Sequence, residues 1–267
     1  MTRDPGIGNR ESGIVKSGYQ RLVSHAAVLA GGLLLSFSAL AADPGTALQQ
    51  SGTDLADRAS LQRGARLFMN YCAGCHSLKY LRYSRMAEDL GLSEEEVMEN
   101  LNFTGAAFGE HIVPAMPAEQ AEDWFGVAPP DLSLVVRTKA GGPDWIYTFL
   151  KSFYQDESSA QGWNNTLFPD VSMPNPLWEM QGLQHPVYGA PDETGQPAIE
   201  RLELARPGTQ DAAEFDRTVR DIAAFLEYAA EPAALKRQGI GVWVILFLAF
   251  FTFLAWLLKK EYWRDVH

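Results

Sequence analysis

The sequence predicts a mainly α protein: one helical domain with long loops, followed by a single C-terminal transmembrane helix. Three observations carry that prediction. Apolar residues recur at helical spacing in several separate stretches of the 267-residue chain. No sustained alternation of apolar and polar residues marks a strand, and no internal repeat is present. Ile240 to Leu258 forms a run without a single charge, long enough at about 1.5 Å per residue to cross a bilayer.

Taken in order, the chain opens on Arg3, Arg10, Lys16 and Arg21, then an apolar run from Ala26 to Leu40 that ends in Ala39-Leu40-Ala41. A positive start, an apolar centre and small residues at the end are the marks of a secretory signal over residues 1–41. Residues 42–235 then form the exported domain, expected in the bacterial periplasm. Ser60 is positioned to cap a helix whose stripe is Leu61, Ala65, Leu67, Phe68 and Tyr71. Leu78 to Leu90 makes a shorter segment. Ser93 before Glu94, Glu95 and Glu96 reads as an N-cap, with acids complementing the positive end of the helix dipole.

Residues 102–130 are broken by Gly and Pro. Asp131 is placed to cap a short helix through Leu132, Leu134 and Val135. Gly141-Gly142-Pro143-Asp144 predicts a break and a new helix start, with Trp145, Tyr147, Phe149, Leu150 and Phe153 on its core face. Residues 155–210 show no period and are rich in Pro, Gly and Asn, which predicts one long loop. A last soluble helix from Asp211 to Ala230 carries Val219, Ile222, Phe225 and Leu226, and Pro232 stops it. Residues 236–258 are the linker and transmembrane helix. Lys259, Lys260 and Arg264 follow at once and suit a cytoplasmic tail over 259–267; Lys236 and Arg237 precede the span, so the signal segment decides the orientation. The expected topology is single-pass in the bacterial inner membrane.

Charge narrows the partners. Residues 42–235 hold 13 Lys and Arg against 29 Asp and Glu, a net of −16. That sign excludes nucleic-acid binding and suits a basic partner steered at long range.

The chemistry concentrates in Cys72-Ala73-Gly74-Cys75-His76. C-x-x-C-H is the attachment signature of a c-type haem. Two thiols one turn apart can each join one vinyl group on a haem edge, and the adjacent imidazole then faces the iron. These are the only two cysteines of the chain. A structural zinc site would want a second pair of ligands, and a redox dithiol a βαβ setting; neither is present. One covalent haem c is therefore expected, and export agrees with it.

A sixth iron ligand has several candidates among the seven methionines and the remaining histidines. Met69, Met86 and Met98 lie in helix-like stretches and suit a core. Met116, Met173, Met180, His111 and His185 remain. Met116 in Val113-Pro114-Ala115-Met116-Pro117 and Met173 in Phe168-Pro169-Asp170-Val171-Ser172-Met173-Pro174 both sit on irregular, proline-braced backbone, which leaves the choice open on chemistry alone.

In this setting the domain resembles the cytochrome c1 family, the membrane-anchored haem subunits of the quinol–cytochrome c oxidoreductase (bc1) complex. The resemblance rests on Gly64 to Tyr71 running into Cys72 to Tyr80, on Ala128-Pro129-Pro130-Asp131-Leu132-Ser133, on Arg137-Thr138-Lys139-Ala140-Gly141-Gly142, and on Phe168-Pro169, Asp221-Ile222 and Ala229-Ala230-Glu231-Pro232. These occur in family order and cover residues 58–264.

The resemblance implies a class I cytochrome c-like helical domain. It implies thioethers at Cys72 and Cys75, His76 as proximal ligand and Met173 as the second ligand to iron. It also implies a basic residue on a haem propionate, for which Arg137 and Lys139 are the candidates. The family carries Arg at the second of these positions, and Lys139 is a point charge rather than a fork.

The implied function is electron transfer. The haem accepts an electron from the Rieske iron–sulfur subunit and passes it to a soluble or tethered cytochrome c, beside cytochrome b in a dimeric complex. The chain does no bond chemistry alone. Two alternatives share the attachment motif: a free-standing membrane-anchored cytochrome c shuttle, and a haem sensor or peroxidase-like site with an open iron position.

Overall fold

The computed structural model describes residues 47–191 and 197–265. The expected signal at 1–41 lies outside the described residues.

The fold is built on two long helices. α1 (Arg58–Tyr71) turns Leu61, Ala65, Phe68 and Met69 inward. α8 (Ala212–Ala230) meets it with Val219, Ile222, Ala223, Phe225 and Leu226. The helices cross at Gly64. A Cβ there would lie 2.0 Å from the Asp221 carbonyl oxygen and 2.7 Å from Phe225 Cβ, so only glycine permits the approach. Phe68 and Phe225 pack alongside, with ring centroids 5.6 Å apart.

Two capping expectations change here. Asp57, not Ser60, caps α1, its side chain accepting from Ser60 N. Ser60 already lies in the first turn, and its hydroxyl donates to the buried Asp221 at 2.6 Å. Arg63 Nε completes the neutralisation of that carboxylate at 2.6 Å. By contrast α8 starts as expected, with Asp211 and Glu214 forming a capping box.

Between these helices lie shorter elements: β1 (Leu78–Arg82), α2 (Tyr83–Leu90), α3 (Glu94–Asn100), β2 (His111–Ile112) and α4 (Ala118–Phe125). Ser93 and Glu96 cap α3 reciprocally, as their spacing predicts. Then come α5 (Val135–Thr138), α6 (Pro143–Lys151), β3 (Phe153–Gln155), β4 (Trp163–Asn165) and α7 (Trp178–Gln181). Pro143 opens α6 at its first turn. Asp131 does not cap α5: that helix begins after Leu134, and the Asp131 carboxylate bonds elsewhere.

The fold is mainly helical as predicted, but the expectation of one long loop over 155–210 is corrected. Three two-stranded antiparallel sheets occur among the described residues: β1–β2, β3–β4, and β5 (Gly182–Pro191) with β6 (Pro197–Pro207). The last pair is a long hairpin inside the stretch expected to be loop. Its register slips at three places, and Tyr188 and Leu204 are both exposed. Bulges and a two-sided solvent face erase the alternation by which a strand is recognised.

α9 (Ala234–Tyr262) leaves the domain directly after Pro232. Gly239–Tyr262 is long and apolar enough to cross a membrane, and none of its central window is buried within the chain. The expected linker at 236–239 is thus helical, and the helix passes Leu258 by four residues. Arg237 at its start pairs with Glu231 at 2.7 Å.

Candidate haem-attachment site

α1 delivers the Cys72 to His76 turn. Cys72 N and Ala73 N both donate to the Phe68 carbonyl, and Cys75 N and His76 N donate to Cys72 O at 3.0 and 2.8 Å. The helix thereby tightens into a turn that sets both cysteines and the histidine at its end. Cys72 is buried and Cys75 partly so; both thiols are free. Burial, with Cys75 nearby, pushes the Cys72 thiol up to about 12. Among the described residues no group of three or more His, Cys, Asp or Glu converges on one point.

His76 is buried, and its Nδ1 lies 2.8 Å from the Pro130 carbonyl oxygen. A carbonyl only accepts, so Nδ1 carries the hydrogen and the lone pair is on Nε2. Burial pushes the imidazole pKa down, against the opposing pull of the Pro130 bond and of Asp131. The result is a neutral ring with its tautomer fixed and Nε2 available to a metal. Two free thiols on one turn with such an imidazole fit the donor set of a covalent haem.

The other sequence candidates are distributed unevenly. Met69 and Met86 are in the core. Met98 Sδ accepts from Asn102 at 3.6 Å. Met180 lines a groove of about 360 Å³ between α1 and α8, shared with Arg63 and Gln210. His111 pairs in β2 and His185 in the hairpin, opposite Glu203. Met173 is partly buried and packs on the same apolar cluster as Cys72 and Ala73. Met116 is tethered by its backbone, N to Gly74 O at 3.2 Å.

Arg137 points toward the anchor, Nη1 to Glu231 at 3.1 Å, and is 58% exposed. Lys139 Nζ lies 4.5 Å over the Trp145 ring and 5.1 Å from that of Phe168, at the head of the segment carrying Met173. Sequence reasoning missed Pro130 and Asp131 as neighbours of the motif. Their signal was the Ala128 to Ser133 stretch that carries the family resemblance, which does not reveal a carbonyl contact 54 residues away in sequence.

A buried C-x-x-C-H turn on a helical domain with one membrane-length helix is the arrangement of an anchored c-type cytochrome. Comparison with known proteins narrows this. The model described as the Cytochrome C1 family matches residues 49–185 and 207–266. A cytochrome c1 of Allochromatium vinosum is 51% identical over 90% of this chain and 98% of its own length. The ammonia monooxygenase gamma subunit of Nitrosomonas europaea is 41% identical over 88% of this chain and 95% of its own. A mitochondrial cytochrome c1, heme protein, of Schizosaccharomyces pombe is 27% identical over 79% and 68%. The chain belongs to the cytochrome c1 family. The family model leaves 186–206 unmatched, a stretch whose described residues belong to the outer part of β5 and β6.

Proposed function

We propose that the covalent haem c of this electron-transfer subunit is held through Cys72 and Cys75, with His76 Nε2 and Met173 Sδ as the two axial ligands. The observation that carries the assignment is the 2.8 Å contact of His76 Nδ1 with Pro130 O, which presets the imidazole as a ligand. The bound haem supplies a one-electron iron couple; the chain supplies its ligands, burial and surroundings. A methionine sulfur favours ferrous iron more than a second imidazole would and raises the potential. Lys139, steadied by Trp145 and Phe168, has no carboxylate partner among the described residues and is a candidate to meet a propionate. Arg137 is the second basic candidate, and it shares Glu231.

The chain is a membrane-anchored subunit of a bc1-type complex containing cytochrome b. On our reading its haem domain stands on the periplasmic side of the bacterial inner membrane. The haem accepts electrons from the Rieske iron–sulfur subunit and passes them to a cytochrome c, in a dimeric complex. The acidic balance of the exported part supports a basic electron acceptor.

A reduced-minus-oxidised spectrum of the chain purified gently from membranes tests this. A c-type band accompanied by b-type bands, both reducible by quinol, is the expected result. A c-type band alone would support the free-standing anchored carrier. Replacing Met173 with Ala should lower the midpoint potential and open the ferrous haem to carbon monoxide. If potential and carbon monoxide resistance are both unchanged, Met173 is not the ligand.

A further inference from the structure

Asp131 stands one residue from Pro130, and Ser77 one residue from His76. Between them runs a dense set of hydrogen bonds. Asp131 Oδ2 accepts from Ser77 Oγ at 2.6 Å and from Lys79 N at 2.8 Å. Its Oδ1 accepts from Ser133 N at 3.0 Å. Leu132 N donates back to Ser77 O at 2.9 Å, and Tyr80 N donates to Ser133 Oγ at 3.1 Å. Among the described residues Asp131 has no cationic partner. Burial alone would push its carboxyl up; the donors from Ser77, Lys79 and Ser133 outweigh it and hold the group below the usual carboxylate range. The carboxylate therefore stays charged, near the buried imidazole.

The residues flanking the His76–Pro130 contact on both segments are thus tied together by one side chain. We infer that Asp131 is a positioning residue for the haem iron: it holds the Pro130 carbonyl on His76 Nδ1 and so fixes the plane and donor strength of the proximal imidazole. The inference rests on the haem assignment proposed above. An imidazole whose Nδ1 hydrogen is firmly bound to a carbonyl is more electron-rich, and a nearby negative charge acts in the same direction. Both favour ferric iron. The intact arrangement therefore lowers the potential below what the same ligands would give with a slack proximal ring.

The test uses the full chain in its native membranes. Asp131→Asn keeps the size of the side chain but removes the charge and an acceptor oxygen. The midpoint potential of the c-type haem should shift upward, and the electron paramagnetic resonance of the ferric haem should move or broaden. Covalent haem content should be unchanged. Ser77→Ala and Ser133→Ala each remove one bond but keep the carboxylate, and should shift the potential in the same direction by less. They carry the test if D131N fails to accumulate.

A purely structural role would lower the melting temperature while leaving potential and resonance in place, and that result overturns the inference. A control with both cysteines replaced, Cys72→Ser with Cys75→Ser in one chain, separates the two levels. If covalent haem survives in that double variant, the attachment reading fails. If it is lost there and D131N still moves neither readout, the Asp131 inference alone falls.

Discussion

Two parts of this molecule are held by opposite means. The turn from Cys72 to Tyr80 follows α1 and is bonded to the 128–133 segment, so that its polar groups are answered by neighbours far away in sequence. The β5–β6 hairpin is held mainly by its own ladder. It touches the rest through its base, where Gln184 Nε2 donates to Lys151 O and Phe153 O at 3.0 and 2.9 Å. The first region lies within the family match, and the outer part of the second lies outside it. Long-range bonding and burial constrain which residues a position accepts. A two-stranded ribbon in solvent leaves most of its positions free.

The sharpest way to break the first region is at the helix crossing that delivers it. Gly64→Ala would press a methyl group against the Asp221 carbonyl and Phe225. Both neighbours are fixed, one as helix backbone and the other as buried core. The expected loss is about 3 kcal/mol, at the upper end for overpacking, measured by denaturant unfolding. A loss under ~1 kcal/mol would mean that α1 and α8 can part without cost, and that the turn is held by its local bonds alone.

A gentler probe is acid. The folded pKa of Asp131 is depressed, so its contribution to stability is complete above the unfolded value near ~4. It is lost as pH falls through the folded value. Wild-type stability should therefore decline more steeply below about pH 4 than that of D131N. At neutral pH the variant should be weaker by about 1.5–3 kcal/mol, the scale of hydrogen bonds to a charged acceptor. Parallel acid limbs would show that the carboxylate is no better placed folded than unfolded.

The same contrast explains how much could be read from the sequence. Cys72, Cys75 and His76 announce their chemistry by spacing. α3, α6 and α8 announce themselves by their caps and stripes. Asp131 looks like a helix cap because Asp before a short apolar run usually is one; competing donors on Ser77 and Lys79 took its carboxylate instead. Ser60 was outcompeted in the same way by Asp57 and recruited by Asp221. The hairpin was illegible because slipped register and exposed apolar residues leave no period to detect. Pairing between strands is a relation between segments, and composition within one segment does not encode it.

The smallest expected effect comes from shortening that hairpin. His185 and Glu203 are register partners, as are Pro186 and Leu202 beyond them. Residues 186–202 can therefore be replaced by Asn-Gly, whose positive-φ preference closes a two-residue antiparallel turn. The base survives, including both Gln184 bonds and Gly182, whose φ of +91° and close approach to Arg206 O leave no room for a side chain. Among the described residues of the removed part none belongs to the buried core. Stability should change by less than ~0.5 kcal/mol, as for surface changes away from packed features. The optical spectrum and the midpoint potential should be unaltered. A drop of ~1 kcal/mol or more, or a moved potential, would mean that the ribbon braces the haem domain beyond its visible bonds, and the contrast between the two regions would not stand.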